Sequence, residues 1–273
     1  MTPQIETVGL GFVYPDGTRA LQGVDLRIGS GELVAIIGQN GSGKSTLVRH
    51  FNGLLRATEG TVSIGGVPVA RRHVAVLART VGVVFQNPDR QIFAGSVRHE
   101  VEFGARNLGY GGADLARRVT DALGLVGLGD AVPHNPYDLG FSRRKLLAMA
   151  SVLAMGTSTV VLDEPTTGQD ARGVDRVRAI VRSLAAEGRT VIGISHDMRF
   201  VVEAFPRLVV MRAGRIVLDG TPEEVFAERE WPVLASTFLE PTLAARVGAE
   251  RGLGSTPTEA SLIAALQGRG GSA

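Results

Sequence analysis

One segment of this 273-residue chain, Gly38-Gln39-Asn40-Gly41-Ser42-Gly43-Lys44-Ser45-Thr46, restricts its possible folds more than any other. It follows a continuous apolar run, Leu33–Ile37, which is typical of a strand buried on both faces. A helical stretch through Asn52 follows it. The spacing matches G-x-x-x-x-G-K-[ST], a loop whose backbone amides and following helix bind phosphate groups. The sequence therefore predicts a nucleotide site between a buried strand and a helix.

Within this loop the glycines let the backbone turn its amides toward phosphate oxygens. Lys44 supplies a positive charge to the terminal phosphates, and the Ser45 hydroxyl can ligate Mg²⁺. A chance cluster is the alternative, since the chain has 36 glycines. Lysine argues against it, because Lys44 is one of only two lysines among 29 basic residues. The predicted nucleotide-binding residues are Gly38, Gln39, Asn40, Gly41, Ser42, Gly43, Lys44, Ser45 and Thr46.

Further short buried strands alternate with helical segments, which indicates an α/β fold with a largely parallel sheet. The first thirty residues are predicted to form strands joined by a turn at Pro15-Asp16-Gly17. The section from about 90 to 155 contains no comparable strand and is interpreted as a helical insertion. We expect a main domain over residues 1–225 and a small helical appendage over 226–273. The further buried strands are predicted at Val81–Phe85, Thr159–Asp163 and Thr190–Ser195. A hairpin is predicted at Arg207–Asp219.

Polar side chains follow three of these strands. Asp163 and Glu164 end one strand and should point in different directions, so Asp163 is assigned to the metal and Glu164 to a general base. His196 ends another strand, where it can contact a γ-phosphate and the attacking water. Gln86 follows a third, although an isolated Gln86 could be an ordinary loop residue and the acids could be surface residues. The other four histidines are predicted to be surface or capping residues: His50, His73, His99 and His134.

Composition excludes several classes of protein. A formal charge of +2 offers no strong electrostatic case for nucleic-acid binding, and the absence of cysteine excludes a disulfide scaffold and a cysteine nucleophile. No apolar run approaches the roughly 18 residues that a membrane-spanning helix needs. The N-terminal residues lack the pattern of a signal peptide. We therefore expect an intracellular, soluble protein that can still dock on a membrane partner.

In order along the chain, these motifs resemble those of an ABC-type ATPase over about residues 4–225. The resemblance implies that ATP and Mg²⁺ are the cofactors, and it assigns Lys44, Gln86, Glu164 and His196 to the catalytic site. It also implies that Tyr14 stacks on adenine. Asp170 matches the family's D-loop aspartate, although Gln169 replaces the usual leucine. By the same resemblance, the metal is contacted by Ser45, Gln86 and Asp163.

The segment from Phe85 to Phe93 is similar to the Q-loop region of energy-coupling factor (ECF) transporters, which import vitamins and transition-metal ions. This resemblance implies a peripheral subunit at the cytoplasmic face of the cell membrane. Its partners would be an integral membrane coupling subunit and a substrate-binding membrane subunit. A nucleotide switch that regulates a partner outside transport is the alternative. An ordinary P-loop kinase or GTPase does not explain Asp163 and Glu164 together with His196.

The family signature, Leu-Ser-Gly-Gly-Gln, departs from its usual form in Leu139-Gly140-Phe141-Ser142-Arg143. In the family this motif contacts the γ-phosphate bound by the opposite subunit, and close approach to phosphate favours residues without side chains. We therefore expect a heterodimer, rather than a homodimer, in which a second cassette supplies an intact signature. Arg143, Arg144 and Lys145 either replace some of the lost phosphate contacts or form a solvated basic face.

Overall fold

The structure is a computed structural model and describes residues 2–270, so Met1 and residues 271–273 of the predicted appendage lie outside it. Its strands, in chain order, are β1 (Ile5–Val13), β2 (Arg19–Ile28), β3 (Leu33–Ile37), β4 (Glu59–Ile64), β5 (Val67–Pro68), β6 (Val81–Val84), β7 (Thr159–Asp163), β8 (Thr190–Ile194), β9 (Arg207–Arg212) and β10 (Arg215–Gly220). Its α-helices are α1 (Lys44–Phe51), α2 (Val74–Leu77), α3 (Val97–Asn107), α4 (Gly112–Val126), α5 (Phe141–Ala154), α6 (Ala171–Ala186), α7 (Met198–Ala204), α8 (Pro222–Val225), α9 (Trp231–Ser236), α10 (Leu243–Glu250) and α11 (Glu259–Gly270).

The central sheet has six strands in the order β10-β9-β3-β8-β7-β6. Strands β9, β3, β8, β7 and β6 run parallel, and β10 pairs antiparallel with β9. The parallel strands are mostly apolar and buried on both faces, as their uninterrupted hydrophobic runs predict. Their carboxyl ends meet at one edge, which brings the residues after β3, β6, β7 and β8 close together. The predicted α/β core is confirmed.

A second, antiparallel sheet has the order β2-β1-β4-β5 and packs beside the central sheet. The antiparallel N-terminal region is therefore confirmed, and it includes one strand pair, β4 and β5, that the sequence reasoning missed. Apolar side chains from β1, β2 and β4 share a buried cluster with α1 and one face of the central sheet. This packing fixes the helix that follows the glycine-rich loop.

Helices α3, α4 and α5 form the predicted helical insertion. Leu115, Val119 and Leu123 lie on one face of α4 at helical spacing and are buried. They belong to the same apolar cluster as α5 and the opposite face of the central sheet. The insertion therefore shares a continuous core with the sheet, and α5 leads directly into the strand that carries the acids.

The C-terminal region follows α8, whose first turn is capped. Thr221 accepts a hydrogen bond from the Glu224 amide while the Glu224 side chain accepts one from the Thr221 amide, a complete capping box. Helices α9 to α11 follow, and an ion pair of 3.2 Å between Arg199 and Glu259 joins α11 to α7. Within residues 2–270, no helix combines the length and apolar character needed to cross a membrane.

Candidate nucleotide site

The glycine-rich loop connects β3 to α1 through backbone conformations that favour glycine. Gly38 has φ +147°, and a Cβ placed on it would lie 2.2 Å from the Met211 carbonyl oxygen. Gly43, at φ +103°, leaves only 2.7 Å between an added Cβ and the Ala20 carbonyl oxygen. Both positions therefore require glycine, because any side chain would collide with the neighbouring backbone. The loop can form only with these residue types.

The Lys44 ammonium group lies inside this loop. Its Nζ donates to the carbonyl oxygens of Gly38 at 2.7 Å and Gln39 at 2.9 Å, and lies 3.5 Å from Ser42 Oγ. Burial lowers the pKa of Lys44, while Glu164 and Asp163 oppose that shift. An ammonium has three donors, so two strong bonds to the loop orient the group and leave capacity for a phosphate oxygen.

Asp163 lies at the end of β7, beside the start of α1. Ser45 Oγ donates to Asp163 Oδ1 at 3.3 Å across 118 positions of sequence. Burial raises the pKa of Asp163, and the Ser45 hydrogen bond and the cations Arg49 and Lys44 counteract this. Hydroxyl and carboxylate oxygens are the donors Mg²⁺ prefers, with phosphates and water completing its shell. The pair therefore fits a magnesium ion held jointly with a nucleotide.

Glu164 has an unusual backbone conformation for a residue with a side chain. Its φ is +51°, and its amide donates to the Ile194 carbonyl oxygen at 2.8 Å. Its Oε2 accepts a 2.8 Å hydrogen bond from Nδ1 of His196. The glutamate side chain is 8% exposed and the histidine 68%. Strain of this kind is concentrated at functional sites, and here it occurs at one of the two predicted catalytic groups that contact each other.

These residues share one open pocket, which we call the phosphate-loop pocket. Tyr14 lies at its edge, and its hydroxyl and that of Thr46 are 3.0 Å apart. Gln86 also lines it, so the side chains after β3, β6 and β7 meet as their order in the sheet predicts. Gly38, Gln39 and Ser42 contact the pocket residue Lys44, and His196 contacts the pocket residue Glu164 through a hydrogen bond. The lining residues are Tyr14, Thr18, Arg19, Ala20, Asn40, Gly41, Gly43, Lys44, Ser45, Thr46, Gln86, Asp163, Glu164 and Ile194.

Sequence reasoning missed the contribution of Thr18, Arg19 and Ala20 to this pocket. They follow the turn after Tyr14 and enter β2, where the chain passes over the loop. The Ala20 carbonyl oxygen is the atom that excludes a side chain at Gly43. The only sequence signal was the turn itself, which would return the chain toward Tyr14.

Residues 143–145 were expected either to replace lost phosphate contacts or to form a solvated basic face, and Lys145 does neither. Lys145 is completely buried, and its Nζ donates to the Gln86 carbonyl oxygen at 2.9 Å. Arg143 Nη2 donates to both carboxylate oxygens of Asp130, at 2.7 and 2.8 Å, and Arg144 pairs with Asp89 at 3.0 Å. All three basic residues therefore contact groups of their own chain. Lys145, the third of them, lies on the inward face of α5.

The prediction that His50 is a surface or capping residue is also wrong. His50 is 1% exposed, donates from Nδ1 to the Thr46 carbonyl oxygen at 2.8 Å and packs edge-on against Phe12. Its Nε2 is buried without a hydrogen-bond partner. The apolar wall from β1 covers this face of α1, which the local sequence did not reveal.

This burial predicts acid sensitivity of the fold. Desolvation lowers the pKa of His50, so the native state resists protonation there, whereas an unfolded histidine titrates near pH 6.5. As pH falls below about 6.5 the unfolded state gains a proton that native His50 does not, and stability decreases. We expect His50→Gln to show a shallower fall in the free energy of unfolding between pH 7.5 and 5.5. The exposed His73→Gln is the control, and equal slopes for wild type and His50→Gln would contradict the prediction.

Comparisons with known proteins support a nucleotide site of this kind. The sequence profile of the ABC transporter family matches residues 21–167. The energy-coupling factor transporter ATP-binding protein EcfA of Methanocaldococcus jannaschii is 42% identical over 228 residues, covering 83% of this chain and 82% of that protein. EcfA of Methanosphaera stadtmanae is 39% identical over 232 residues, covering 84% of each. The solved structure of cbiO1 from Clostridium perfringens, described as part of the ABC transporter complex cbiONQ, has a TM-score of 0.76 at 36% identity and covers 92% of this chain and 100% of that one.

A glycine-rich phosphate loop, a strand-end acid pair and a central parallel sheet define the class as a P-loop nucleoside triphosphatase. The profile and the relatives narrow that class. The chain belongs to the ABC transporter family, as an ATP-binding subunit that hydrolyses ATP. The ECF-type resemblance is confirmed by the EcfA and cbiO1 relatives.

Proposed function

We propose that the chain is the ATP-hydrolysing subunit of an ECF-type importer, which couples hydrolysis to uptake of a vitamin or transition-metal ion. The observation that carries the proposal is the 2.8 Å contact between Glu164 and His196 beside the phosphate loop. This pair adds a general base and a group that can contact phosphate to a pocket that already has a phosphate-binding loop. The names of the EcfA and cbiO1 relatives support the transport role.

In this proposal Lys44 neutralises charge on the terminal phosphates of ATP. Glu164 accepts a proton from a water molecule whose oxygen attacks the γ-phosphorus, while the bond from that phosphorus to the ADP oxygen breaks. His196 is fixed by Glu164, and its exposed ring reaches toward the γ-phosphate. Ser45, Asp163 and Gln86 would hold Mg²⁺, which would screen the phosphate charge. Tyr14 supports the adenine at the rim of the pocket.

An apolar groove beside residues 85–91, the Q-loop of this chain, supports a membrane partner. Phe93 and Phe103 are 59% and 49% exposed, and their rings meet edge to face at 4.7 Å. Leu54 and Val74, also exposed, extend this surface, and Phe85 next to Gln86 lines it. Clustered exposed apolar side chains of this kind mark interaction sites. In this proposal the coupling subunit binds the groove, and the chain is a peripheral protein on the cytoplasmic face of the membrane.

The departures in the signature support a second, different cassette as a further partner. Phe141 and Ser142 occupy the two glycine positions of the family motif, and the Phe141 ring packs against Gly168. A partner's ATP would therefore meet side chains where the family offers bare backbone. A second subunit with an intact signature would complete the pocket built on Lys44 and Glu164.

Placing a charge in the groove tests the transport role. We expect Phe93→Asp to lower recovery of the chain with integral membrane proteins about tenfold or more, because docking would bury an unpaired carboxylate. The measurement is affinity purification in gentle detergent, with ATP binding recorded on the same preparations. Phe238→Asp is the matched control, since Phe238 is 80% exposed on the C-terminal appendage.

Unchanged recovery of Phe93→Asp would contradict docking at the groove. If wild type captures no integral membrane protein but still binds ATP, the non-transport nucleotide switch becomes the better explanation. The solute is set by the membrane subunits in this proposal, so the same preparation should contain the protein that binds it.

A further inference from the structure

A buried lysine on α5 contacts the Q-loop, which we define as residues 85–91. Lys145 has no exposed surface, and its Nζ donates to the backbone carbonyl oxygen of Gln86 at 2.9 Å. The two residues are 59 positions apart in the sequence. Lysine is almost never fully buried unless its charge is paired, so this contact needs a specific explanation.

The surroundings of Lys145 offset only part of the cost of burying its charge, because burial lowers its pKa to about 8. The Phe141 ring centroid lies 6.0 Å from Nζ, and the carboxylates of Glu164 and Asp163 act on the ammonium through space. These carboxylates belong to the phosphate-loop pocket itself. The ammonium therefore lies between the helical insertion and the catalytic acids, and its hydrogen bond is made to neither acid but to the Q-loop backbone.

Other contacts attach the same loop to the same helix. Gln91 accepts from the Phe85 amide at 3.1 Å and donates to the Ala148 carbonyl oxygen at 2.7 Å and to Ser151 Oγ at 3.1 Å. Gln91 thus fixes both ends of the loop to α5. Lys145 adds a hydrogen bond made directly to Gln86, the loop residue that lines the pocket with Ser45 and Asp163.

The residue type fits this task. An ammonium on a flexible stem can satisfy one carbonyl oxygen in a small space, whereas the rigid arginine fork needs several acceptors. The chain uses lysine at only two of its 29 basic positions, and both side chains donate to backbone carbonyl oxygens of loops at the nucleotide pocket. Arginine occupies the basic positions elsewhere, including the neighbouring Arg143 and Arg144.

We propose that Lys145 is a positioning residue: it holds the Gln86 backbone so that the Gln86 side chain meets the metal ion bound with ATP. This inference rests on the proposed function, because it takes Mg²⁺–ATP as the ligand of the pocket. Its consequence is that displacement of α5 moves Gln86 directly. Movement of α5, which begins within the altered signature, then affects the nucleotide bound by its own chain through Lys145.

The experiment measures metal binding rather than turnover. The full chain, loaded with ATP, is titrated with Mn²⁺ and followed by electron paramagnetic resonance, and ATP affinity is measured separately in EDTA. For Lys145→Met we expect Mn²⁺ affinity to fall about tenfold, as for other groups that orient a metal ligand, with ATP affinity in EDTA within about twofold of wild type. Lys145→Gln, whose amide can still donate to the carbonyl oxygen, should fall between Lys145→Met and wild type.

Arg98→Met, an exposed cation of the same helical insertion, is the control and should match wild type. Unchanged Mn²⁺ affinity in Lys145→Met would overturn the inference, and so would equal losses of ATP affinity with metal and in EDTA. If Lys145→Met does not fold, Lys145→Leu, which also lacks a donor, replaces it, and Mn²⁺ affinity equal to wild type would again overturn the inference. Failure of the wild-type chain to bind ATP in EDTA would instead contradict the proposed function.

Discussion

Glu164→Gln is expected to lower steady-state ATP turnover of the assembled complex by about 10²- to 10⁴-fold, the usual contribution of a general base. The amide cannot accept a proton from water, yet it has nearly the shape of the carboxylate. Its oxygen can still accept from His196 Nδ1, so the 2.8 Å contact seen with Glu164 can persist. The defect should therefore appear in turnover and not in nucleotide binding.

The measurement is phosphate release at saturating ATP, paired with nucleotide affinity at equilibrium. Glu240→Gln is the control, because Glu240 is exposed and is not among the residues that line the pocket. Retention of more than about a tenth of wild-type turnover by Glu164→Gln would remove Glu164 from the role of base. Loss of nucleotide affinity and turnover together would indicate a structural role instead.

Lys44→Met is expected to weaken ATP binding severely. Methionine matches the length of the lysine stem, so the variant removes the charge and its donors with little change in packing. Hydrogen bonds to charged groups contribute about 1.5 to 3 kcal/mol, which corresponds to roughly a 10- to 150-fold rise in Kd. The carbonyl oxygens of Gly38 and Gln39 also lose their donor, and this disorders the loop further.

Titration with a fluorescent ATP analogue checks this, with thermal unfolding as a test of the fold. Arg71→Ala is the control, because it removes an exposed cation that does not line the pocket. A Kd within about threefold of wild type in Lys44→Met would contradict the assignment of Lys44 to the phosphates.

Much of the site could be predicted because its elements are local. The apolar run of β3, the glycine spacing and Lys44 lie within a dozen residues, and a loop of this composition between strand and helix has one well-known use. Asp163, Glu164 and His196 follow the same logic, since the carboxyl ends of parallel strands meet at one edge of a sheet. These placements need no knowledge of long-range packing.

The missed features depend on contacts between distant segments. His50 is buried because Phe12, from β1, covers it, and the α1 sequence by itself carries no sign of that wall. Lys145 turns inward because the Q-loop carbonyl oxygen of Gln86 lies there, 59 residues earlier in the chain. The pair β4 and β5 is different, because Thr61–Ile64 alternates and a Gly65-Gly66 turn follows it, which is a local hairpin signal.

The central claim is that the pocket of this chain is the hydrolytic site of a two-cassette complex. The most direct test is to purify the complex with its native partner cassette and to replace the catalytic glutamate of each cassette in turn, measuring ATP turnover. We predict that Glu164→Gln in this chain abolishes turnover and that the matching change in the partner leaves most of it. Loss of turnover only when the partner's glutamate is replaced would contradict the claim.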